Sequence, residues 1–491
     1  MANVHCFTSI TFNYLSKARV LAWSLKRFHP DWTLWVCITD REPPGFHFDL
    51  SQEHFDRIIW SDELPIDNIR GWLFKHDIVE VCTAVKGPAL AMLVEKSGAD
   101  KIFYLDPDIA VFGPLDSLVV ELDENDIVFT PHQILHDLNH EAIVDNEIAS
   151  LQHGIYNLGF VGINASGEGY RFAHWWSERL NRYCYNDIPS GLFVDQRWCD
   201  LVPAFFDKVK VSRNAGYNVA SWNLSHRDIT INDSGEMFAN NDPLRFYHFT
   251  KIEGVGLGMV NKYAKDNIHI YELVSWYKHW LGRFTSPQIP RKWWHYGRFQ
   301  NGEPIRKEHR LLYRGWPDLQ QSYPDPFAAG EKSYCQWLRD NEKEWKQARA
   351  RASEPDGGSQ GDEEEEQKSW RMPRVPTQRP RWTDPCRQLV SDILGRGIKE
   401  VIVYGAGEVG RTFVPEARAA GLAVRCVVDR NPLLWGQILE GATIMSLKQA
   451  MEIDLHIYAI ASFSFADEIA RQIRQNYEKT GISPVILVRR S

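Results

Sequence analysis

Two aspartates separated by one proline form the pattern in the sequence with the clearest chemistry. Asp106 and Asp108 lie between the apolar runs 102–105 and 109–112, which have the composition of buried strands. Pro107 lacks an N–H group and fixes φ, so it marks the point at which the first strand stops pairing. Carboxylates held together on one turn repel each other unless a cation lies between them, and Mg²⁺ and Mn²⁺ prefer oxygen ligands that they share with phosphates. The pattern indicates a metal and diphosphate site, and a polar turn that caps a core strand is the alternative.

Further polar groups follow other predicted strands or begin predicted helices. Asn157 opens a long apolar stretch, Asp195 and Gln196 begin a predicted helix, and His248 lies near the end of the aromatic strand 245–251. Asp195 would also serve as a helix N-cap, and His248 would also fit as a core histidine. Because each of these polar groups falls at the end of a predicted strand or at a turn, we expect them to lie in one cleft.

The elements that would position these groups alternate between strand and helix. Residues 4–8 are predicted as a strand, 14–28 as a helix with apolar residues at helical spacing, and 33–39 as the next strand. A second helical region, 77–98, is predicted to break at Gly87 and Pro88 and leads into the strand before the two aspartates. This alternation predicts an α/β fold with a mixed, mainly parallel sheet, whose strands bind ligands at their carboxyl ends.

The composition is that of a large globular protein. The 491 residues predict two or three domains, and contents of 44% hydrophobic and 12% aromatic residues are ample for their cores. The formal net charge of −8 gives no support to a nucleic-acid partner. The 8 cysteines form no C-x-x-C pair, which favours reduced thiols over a zinc site. Without a recognisable signal peptide or a membrane-spanning apolar run, a cytoplasmic protein is expected, and peripheral membrane contact stays open.

The motifs and their order resemble one known family, the retaining GT-A glycosyltransferases of the glycogenin and lipopolysaccharide galactosyltransferase type. The resemblance covers about residues 1–255. It is carried, in chain order, by Asn13-Tyr14, Tyr104-Leu-Asp-Pro-Asp108, Tyr156-Asn-Leu-Gly159, Asp195-Gln196 and Tyr247-His-Phe249. It implies that Asp106, Asp108 and His248 bind Mn²⁺ or Mg²⁺ and that the ion bridges the diphosphate of a nucleotide-sugar; imidazole favours Mn²⁺.

The resemblance also implies which residues bind the donor. Asp195 and Gln196 would face the donor sugar, where they would hydrogen-bond its hydroxyls and stabilise positive charge at its anomeric carbon. Asn157 would line the same pocket. Lys86 and Lys251 occupy positions at which the family has cations that bind the donor, although each alone also fits a solvated surface side chain.

The sequence departs from the family at the expected site for the nucleotide base. The family commonly has acidic residues before the Asn-Tyr pair, one of which pairs with uracil, whereas this chain has Thr11 and Phe12. Tyr14 would still stack on a base and Thr11 would offer a hydroxyl group, so UDP is the expected carrier with the base identity open. Pro107, where the family has a small residue, would stiffen its turn.

Two segments of unusual composition follow the transferase-like region. Residues 271–328 are rich in tryptophan and arginine, which predicts either an acceptor surface for a lipid-diphosphate-linked glycan or a helical appendage whose tryptophans pack. We favour the appendage and assign it to residues 256–341. Residues 342–380 combine low hydrophobicity with the acidic run 362–366, which predicts a flexible linker.

The last segment, residues 381–491, has its own nucleotide-binding pattern. A strand beginning at residue 401 runs into Gly405, Gly407 and Gly410, and Asp429 ends the next strand about twenty residues later. This G-x-G-x-x-G arrangement predicts a Rossmann-like domain similar to those of polysaccharide-modifying enzymes. Backbone N–H groups at the helix start would hold the phosphate of a nucleotide. A purely structural or docking role is the alternative.

Together these features predict a metal-dependent retaining glycosyltransferase. It would move a sugar from a nucleotide-diphosphate donor to a polysaccharide, glycolipid or lipid-linked glycan acceptor. The rival is a nucleotide-sensing or scaffold protein with an inactive first domain. An NAD-dependent oxidoreductase is a third alternative, although the sequence offers no residue for hydride chemistry.

Overall fold

The computed structural model divides the chain into two compact units, Met1–Gln336 and Trp337–Ser491. The residues that it describes are 2–342, 383–430, 434–461, 466–478 and 480–488. The predicted linker, 342–380, lies outside the described residues except for Glu342. Within the described part of the chain, the helices lack the combination of length and apolar character that crossing a bilayer requires.

The first unit is built on a mixed seven-stranded sheet. The strands of this unit, in chain order, are β1 (Val4–Ile10), β2 (Thr33–Ile38), β3 (Arg57–Trp60), β4 (Lys101–Leu105), β5 (Ile109–Val111), β6 (Ile127–Pro131), β7 (Tyr156–Asn164), β8 (Asn186–Asp187), β9 (Leu192–Phe193), β10 (Val209–Val211), β11 (Val219–Ala220), β12 (Ile229–Ile231), β13 (Met237–Ala239), β14 (Asp242–Pro243) and β15 (Phe246–His248). The order in the main sheet is β10-β6-β7-β4-β1-β2-β3. β7 is antiparallel to both neighbours and the other pairs are parallel, which confirms the predicted fold class.

A smaller sheet beside the main one carries the second half of the site. It has the order β11-β15-β5, in which β15 runs antiparallel to β5. The remaining short strands form the sheet β12-β13-β14 and the hairpin β8-β9. β1 and β4 are buried along their whole lengths, as is typical of central parallel strands that are covered on both faces.

Helices cover the main sheet and extend beyond it. In chain order they are α1 (Leu15–Phe28), α2 (Ile69–Lys75), α3 (Ile78–Ala84), α4 (Lys86–Lys96), α5 (Asp116–Glu124), α6 (His140–Ala142), α7 (Ala149–His153), α8 (Gly167–Tyr183), α9 (Val202–Phe205), α10 (Val255–Tyr263), α11 (Ile268–Phe284), α12 (Lys307–Gly315), α13 (Pro317–Ser322) and α14 (Tyr334–Asp340). A π-helical turn, Ile143–Ile148, joins α6 to α7.

The predicted break in the second helical region lies two residues earlier than expected. α3 ends at Ala84 and α4 begins at Lys86, so the break is at Val85 and not at Gly87 and Pro88. Pro88 is tolerated because it falls in the first turn of α4, where no intrahelical bond needs its missing N–H group. Gly87 lets α4 approach α8 closely, since a Cβ atom there would lie 2.7 Å from the Cα atom of Ser177.

The tryptophans of the predicted appendage are largely engaged in packing. On α11, Trp280 packs on Trp23 of α1 with ring centroids 4.1 Å apart, and Trp276 contacts Phe112 at 5.0 Å. Arg310 is buried and donates hydrogen bonds to the backbone carbonyls of Phe74, His76 and Tyr296. These contacts favour the packed appendage over a continuous acceptor surface.

The second unit contains a six-stranded sheet with its own core. Its strands are β16 (Glu400–Tyr404), β17 (Ala423–Val428), β18 (Ile438–Leu439), β19 (Ala442–Met445), β20 (Ile457–Ile460) and β21 (Val485–Leu487), in the order β18-β19-β17-β16-β20-β21. Its helices are α15 (Thr383–Gly395), α16 (Glu408–Ala419), α17 (Leu447–Ala450) and α18 (Ala466–Tyr477). The pairs other than β18-β19 are parallel. This sheet is compatible with the expected C-terminal βαβ unit, and the Rossmann-like assignment stays a prediction.

The glycine loop of the second unit is tightly folded on itself. A Cβ atom at Gly410 would lie 1.9 Å from the carbonyl oxygen of Gly405, which has a φ of 113°. Gly407 immediately precedes α16, which begins at Glu408. Asp429 accepts a hydrogen bond from the Ala406 N–H group at 2.8 Å, so one carboxylate oxygen already stabilises the loop. Nucleotide binding by this loop stays a prediction.

Candidate active site

Strand pairing brings Asp106, Asp108 and His248 together. The two aspartates occupy the turn between β4 and β5, and β15 pairs with β5 so that His248 lies opposite Ile109. His248 Nε2 is 3.0 Å from Asp108 Oδ1 and 3.6 Å from Asp106 Oδ2. One ligand atom from each residue lies within 4.8 Å of the others. The candidate metal ligands therefore converge, although His248 follows Asp108 by well over a hundred residues.

The three side chains fit a hard divalent cation. An octahedral ion with ligands at about 2.1 Å has neighbouring ligands roughly 3 Å apart, which is the separation of His248 Nε2 from Asp108 Oδ1. Burial acts to raise the pKa of Asp108, but His248 and the nearby Lys17 outweigh it and lower the pKa to about 2. Asp108 is therefore an ionised carboxylate at neutral pH, as a metal ligand must be.

Neighbouring residues hold the triad in place. The Tyr104 hydroxyl group donates to Asp106 Oδ1 at 2.6 Å, and the Asp106 N–H group donates to the Gly159 carbonyl at 2.8 Å. A Cβ atom at Gly159 would lie 2.5 Å from His248 Cε1, so only glycine leaves room for the imidazole. This role was not predicted from the sequence, although a glycine inside a strand is itself a signal of close approach.

Lys86 forms a buried ion-pair network beside the triad. Its Nζ atom is 2.8 Å from Asp195 Oδ2 and 3.2 Å from Asp106 Oδ1, and it donates to the Leu158 carbonyl at 2.9 Å. Burial acts to lower the pKa of Lys86, but Asp106 and Asp195 outweigh it and raise the pKa above its ordinary value. The interpretation of Lys86 as a solvated surface side chain is therefore wrong.

Asp195 lies in the site rather than at a helix cap. The predicted helix is a 3₁₀ helix, Arg197–Leu201, whose N-cap residue is Gln196 and which has no side-chain cap. Burial raises the pKa of Asp195 even though Lys86 acts to lower it. The preceding Val194 has a φ of 39°, a left-handed conformation that is strained for a β-branched residue and that clusters at functional sites.

The amides of Gln196 and Asn157 both bind neighbouring backbone or side-chain groups. Gln196 accepts from the Leu158 N–H group at 3.1 Å and donates to the His153 carbonyl at 3.0 Å. Asn157 accepts from the Gly159 N–H group at 3.0 Å and lies within hydrogen-bonding distance of His132. Both residues are buried at the site and fix the turn from which β7 begins.

The predicted donor-binding residues near the N-terminus differ in accessibility. Thr11 is buried and its carbonyl accepts the N–H group of Tyr14, whereas the Tyr14 ring is 39% exposed. Lys17, one turn later on α1, lies 4.1 Å from that ring and 3.8 Å from Asp108 Oδ2. Lys17 is thus a cation of the site that was not predicted from the sequence. Lys251 follows β15 as an exposed residue with a φ of 46°.

A segment from the appendage covers the ends of β1 and β2. Asp40, immediately after β2, accepts N–H groups from Phe12 at 3.1 Å and from His295 at 2.7 Å. The indole groups of Trp293 and Trp294 donate to carbonyls at the same edge. Asp40 was not predicted, although an aspartate at the end of a strand parallel to β1 could have indicated it. The edge where a base was expected is therefore closed on one side by residues 293–295.

The comparison with known proteins finds neighbours among solved structures alone, since no family model and no curated protein matches the chain. The galactosyltransferase LgtC, in complex with donor and acceptor sugar analogues, is 17% identical; the match covers 59% of this chain and 98% of LgtC, with a TM-score of 0.32. The bifunctional glycosyltransferase WbbM is 12% identical, with 45% and 40% covered and a TM-score of 0.29. Mouse xyloside xylosyltransferase 1 is 14% identical, with 44% and 86% covered and a TM-score of 0.28. The activities in these names are those of the neighbours.

Proposed function

We propose that this protein is a metal-dependent, retaining glycosyltransferase of the GT-A type. Its donor would be a nucleotide-diphosphate sugar, with UDP as the carrier, and its acceptor a polysaccharide, glycolipid or lipid-linked glycan. The observation that carries the proposal is the convergence of Asp106, Asp108 and His248 at the carboxyl end of β4, with their ligand atoms within 4.8 Å. Open α/β sheets bind ligands at this edge.

The chain supplies both ligands and cations for a donor diphosphate. Asp106, Asp108 and His248 would hold Mn²⁺ or Mg²⁺, which would supply Lewis-acid chemistry by neutralising charge on the leaving diphosphate. Lys17, 3.8 Å from Asp108 Oδ2, adds a positive charge on the α1 side of the site. Lys86 bridges Asp106 and Asp195 and so fixes the metal side of the site relative to the sugar side.

The sugar side of the site would be formed by Asp195 and its neighbours. The buried Asp195 carboxylate, held by Lys86 at 2.8 Å, would stabilise positive charge that develops at the anomeric carbon of the donor. Gln196 binds two backbone groups around Asp195, so it would position the loop while it lines the sugar pocket. Retention of configuration follows from the family resemblance and would involve attack from the face that the diphosphate leaves.

Donor hydrolysis and transfer assays with a panel of nucleotide-sugars and Mn²⁺ test this proposal. We expect Mn²⁺-dependent turnover that falls at least a hundredfold in Asp108→Asn, because the ion loses an anionic ligand. Asp207→Asn changes an exposed aspartate outside the site and serves as the matched control. Turnover that survives both EDTA and the Asp106→Asn, Asp108→Asn double substitution would exclude the proposed metal site.

The rival function, nucleotide sensing through the second unit, predicts a different result. In that case no nucleotide-sugar would be turned over, and nucleotide binding would be unaffected by Asp108→Asn. It would instead be lost on substitution of the glycine loop at Gly407, where an added side chain would lie at the start of α16.

A further inference from the structure

A cavity outside the candidate active site has the character of an anion-binding pocket. It has a volume of about 480 Å³ and lies where the end of α2, the end of α8 and the end of α12 meet. We call it the basic cavity and define it by these lining residues: Trp72, Lys75, Arg182, Tyr183, Tyr185 and Arg314. Three of these six residues are cationic and three are aromatic, and Asp67, Asn68 and Asn181 complete the lining.

Carboxylates offset much of the positive charge of the basic cavity, and one of them, Asp67, lies in its lining. Arg314 pairs with Glu80 at 2.5 Å, and Arg182 at the rim lies 3.7 Å from Glu178. Lys75 is half-buried, and no carboxylate among the described residues lies within ion-pair distance of its ammonium group. Burial and the nearby Arg314 both lower the pKa of Lys75. A half-buried cation beside a second cation gains most from an anionic ligand.

Two of the three aromatic residues of the basic cavity, Trp72 and Tyr185, are held by neighbouring groups, whereas Tyr183 is exposed. The Arg314 guanidinium group lies 3.6 Å from the centroid of the Tyr185 ring, and its Nε atom donates to the Lys75 carbonyl at 3.0 Å. Trp72 donates its indole N–H group to the Asn181 carbonyl at 2.8 Å. Fixed aromatic walls with a few polar groups are typical of pockets that bind small ligands. Sugar rings are ligands of this kind, and the cations select those that carry negative charge.

The wall of the basic cavity is connected to the candidate active site. The Val194 N–H group donates to the Tyr185 carbonyl at 3.0 Å, and Asp195 follows directly. Glu80, which pairs with Arg314, also accepts the N–H group of Asn186 at 3.0 Å. The hairpin β8-β9 therefore starts at the cavity and ends beside Asp195. A ligand in the cavity would lie next to the loop that forms the sugar side of the site.

We propose that the basic cavity binds a saccharide that carries a negatively charged group, either a carboxylate or a phosphate. Lys75 pairs with the charged group, and Tyr183 and Tyr185 contact the sugar ring. The further step, in which this saccharide is part of the acceptor, rests on the proposed transferase function. Binding of the saccharide to the cavity does not rest on that function. An experiment can therefore reject the binding site and the transferase function independently of each other.

Calorimetric titration of the full-length protein with simple saccharides tests the binding. The probes are methyl glucuronide, glucose 6-phosphate and the neutral methyl glucoside, all in EDTA so that the candidate metal site is inactive. We expect one or both anionic probes to bind at least tenfold more tightly than methyl glucoside. Lys75→Gln should weaken that binding about tenfold or more, because a charge-assisted contact is lost. Lys278→Gln, on an exposed face of α11, should leave it unchanged.

The pattern of results identifies the ligand or rejects the site. Binding of methyl glucuronide alone assigns a carboxylate, binding of glucose 6-phosphate alone assigns a phosphate, and the Asp108→Asn variant should bind either probe as the wild type does. If both anionic probes bind no better than methyl glucoside, or if Lys75→Gln melts normally and binds them as the wild type does, the cavity is not an anionic saccharide site. If binding persists while no sugar is transferred to any acidic glycan, only the acceptor role is lost.

Discussion

Gly159 and His248 approach each other more closely than a side chain at residue 159 would allow. A Cβ atom there would lie 2.5 Å from His248 Cε1 and 2.6 Å from Nδ1. Neither backbone can retreat easily, because β7 is paired with β4 on one side and β15 is paired with β5 on the other. The absence of a side chain at Gly159 thus determines where the His248 imidazole lies relative to the carboxylates of Asp106 and Asp108.

Gly159→Ala should therefore weaken the candidate metal site without removing a ligand. The added methyl group would push His248 away from Asp108, and we expect the affinity for Mn²⁺ to fall at least tenfold. Overpacking of this kind should also lower the free energy of unfolding by roughly 1–3 kcal/mol. Calorimetric titration with Mn²⁺ and urea denaturation measure the two effects.

Gly258→Ala is the matched control for this substitution. Gly258 lies within α10, and a Cβ atom there would have no neighbour within 4 Å. Alanine should raise the helix stability by about 0.5–1 kcal/mol and leave Mn²⁺ affinity unchanged. A Gly159→Ala protein that binds Mn²⁺ as tightly as the wild type would show that His248 is not a ligand.

At the level of residues, the sequence predicts which side chains could bind a metal or a substrate. It predicts less well which of those side chains contact one another in the folded protein. Asp106, Asp108 and His248 were predicted from their types and positions relative to strands. The burial of Lys86 was not, because its partner Asp195 is distant in sequence and the pair forms only when the folded chain brings α4 next to the residues that follow β9. Lys17 was missed for the same reason, since its contact with Asp108 joins the first helix to a later strand end.

At the level of elements, Asp40 connects three chain segments through hydrogen bonds. Its carboxylate accepts N–H groups from Phe12 after β1, Arg41 after β2, and His295 in the segment that crosses them. Burial raises the pKa of Asp40 to about 7 although these three hydrogen bonds act to lower it. The ends of β1 and β2 therefore contain a carboxyl group that changes protonation near neutral pH.

The pKa of Asp40 predicts a pH dependence of stability with a definite sign. The native state, with a pKa of about 7, binds the Asp40 proton more tightly than the unfolded chain, with its ordinary value of 3.8. The contribution of Asp40 to stability is therefore present below pH about 4 and is lost as the pH rises to about 7, by roughly 4 kcal/mol at most. Denaturant midpoints measured across this range test the slope.

Asp40→Asn isolates the contribution of Asp40 from those of other groups. Asparagine is close in size and does not titrate, so the variant should lose the decline in stability that Asp40 causes between pH 4 and 7. The difference between the two proteins, plotted against pH, is the relevant quantity because other titrating groups cancel. Parallel curves for wild type and Asp40→Asn would contradict the raised pKa.

The elements themselves were predicted more reliably than their ends. The strands that carry the site follow from short apolar runs, and α1 follows from apolar residues at helical spacing. The break at Val85 and the left-handed Val194 were not predictable, because tertiary packing overrides the local preferences of both residues. A valine with positive φ has no signature in sequence, and here it precedes the candidate catalytic Asp195.

At the level of the whole molecule, the sequence predicted a second folded segment. It did not predict which elements the appendage packs against. The predicted boundary at residue 255 has no counterpart in the compact units, since α11 packs on α1 within the first unit. An amphipathic helix shows that one face will be buried, but not against which surface. The division into a transferase-like domain, an appendage and a linker stays a prediction.

The two units have separate cores, and this separation makes a prediction about local stability. One core of the first unit is built around β1, β2 and β4, whereas the second unit has its own cores on the two faces of β16 and β17. A folded segment with its own core behaves as a domain. A steric clash within the glycine loop should therefore destabilise the second unit, which contains the loop.

Gly410→Ala provides that change, because its Cβ atom would lie 1.9 Å from the Gly405 carbonyl oxygen. We expect the loop to open and hydrogen-exchange protection in β16 and β17 to fall by at least tenfold, while β1 and β4 keep their protection. Gly407→Ala is the control, since a Cβ atom there would meet nothing within 4 Å. Protection lost equally in β4 and β16 after Gly410→Ala would mean that the chain unfolds as one cooperative body, and unchanged protection in β16 would mean that the loop tolerates the side chain.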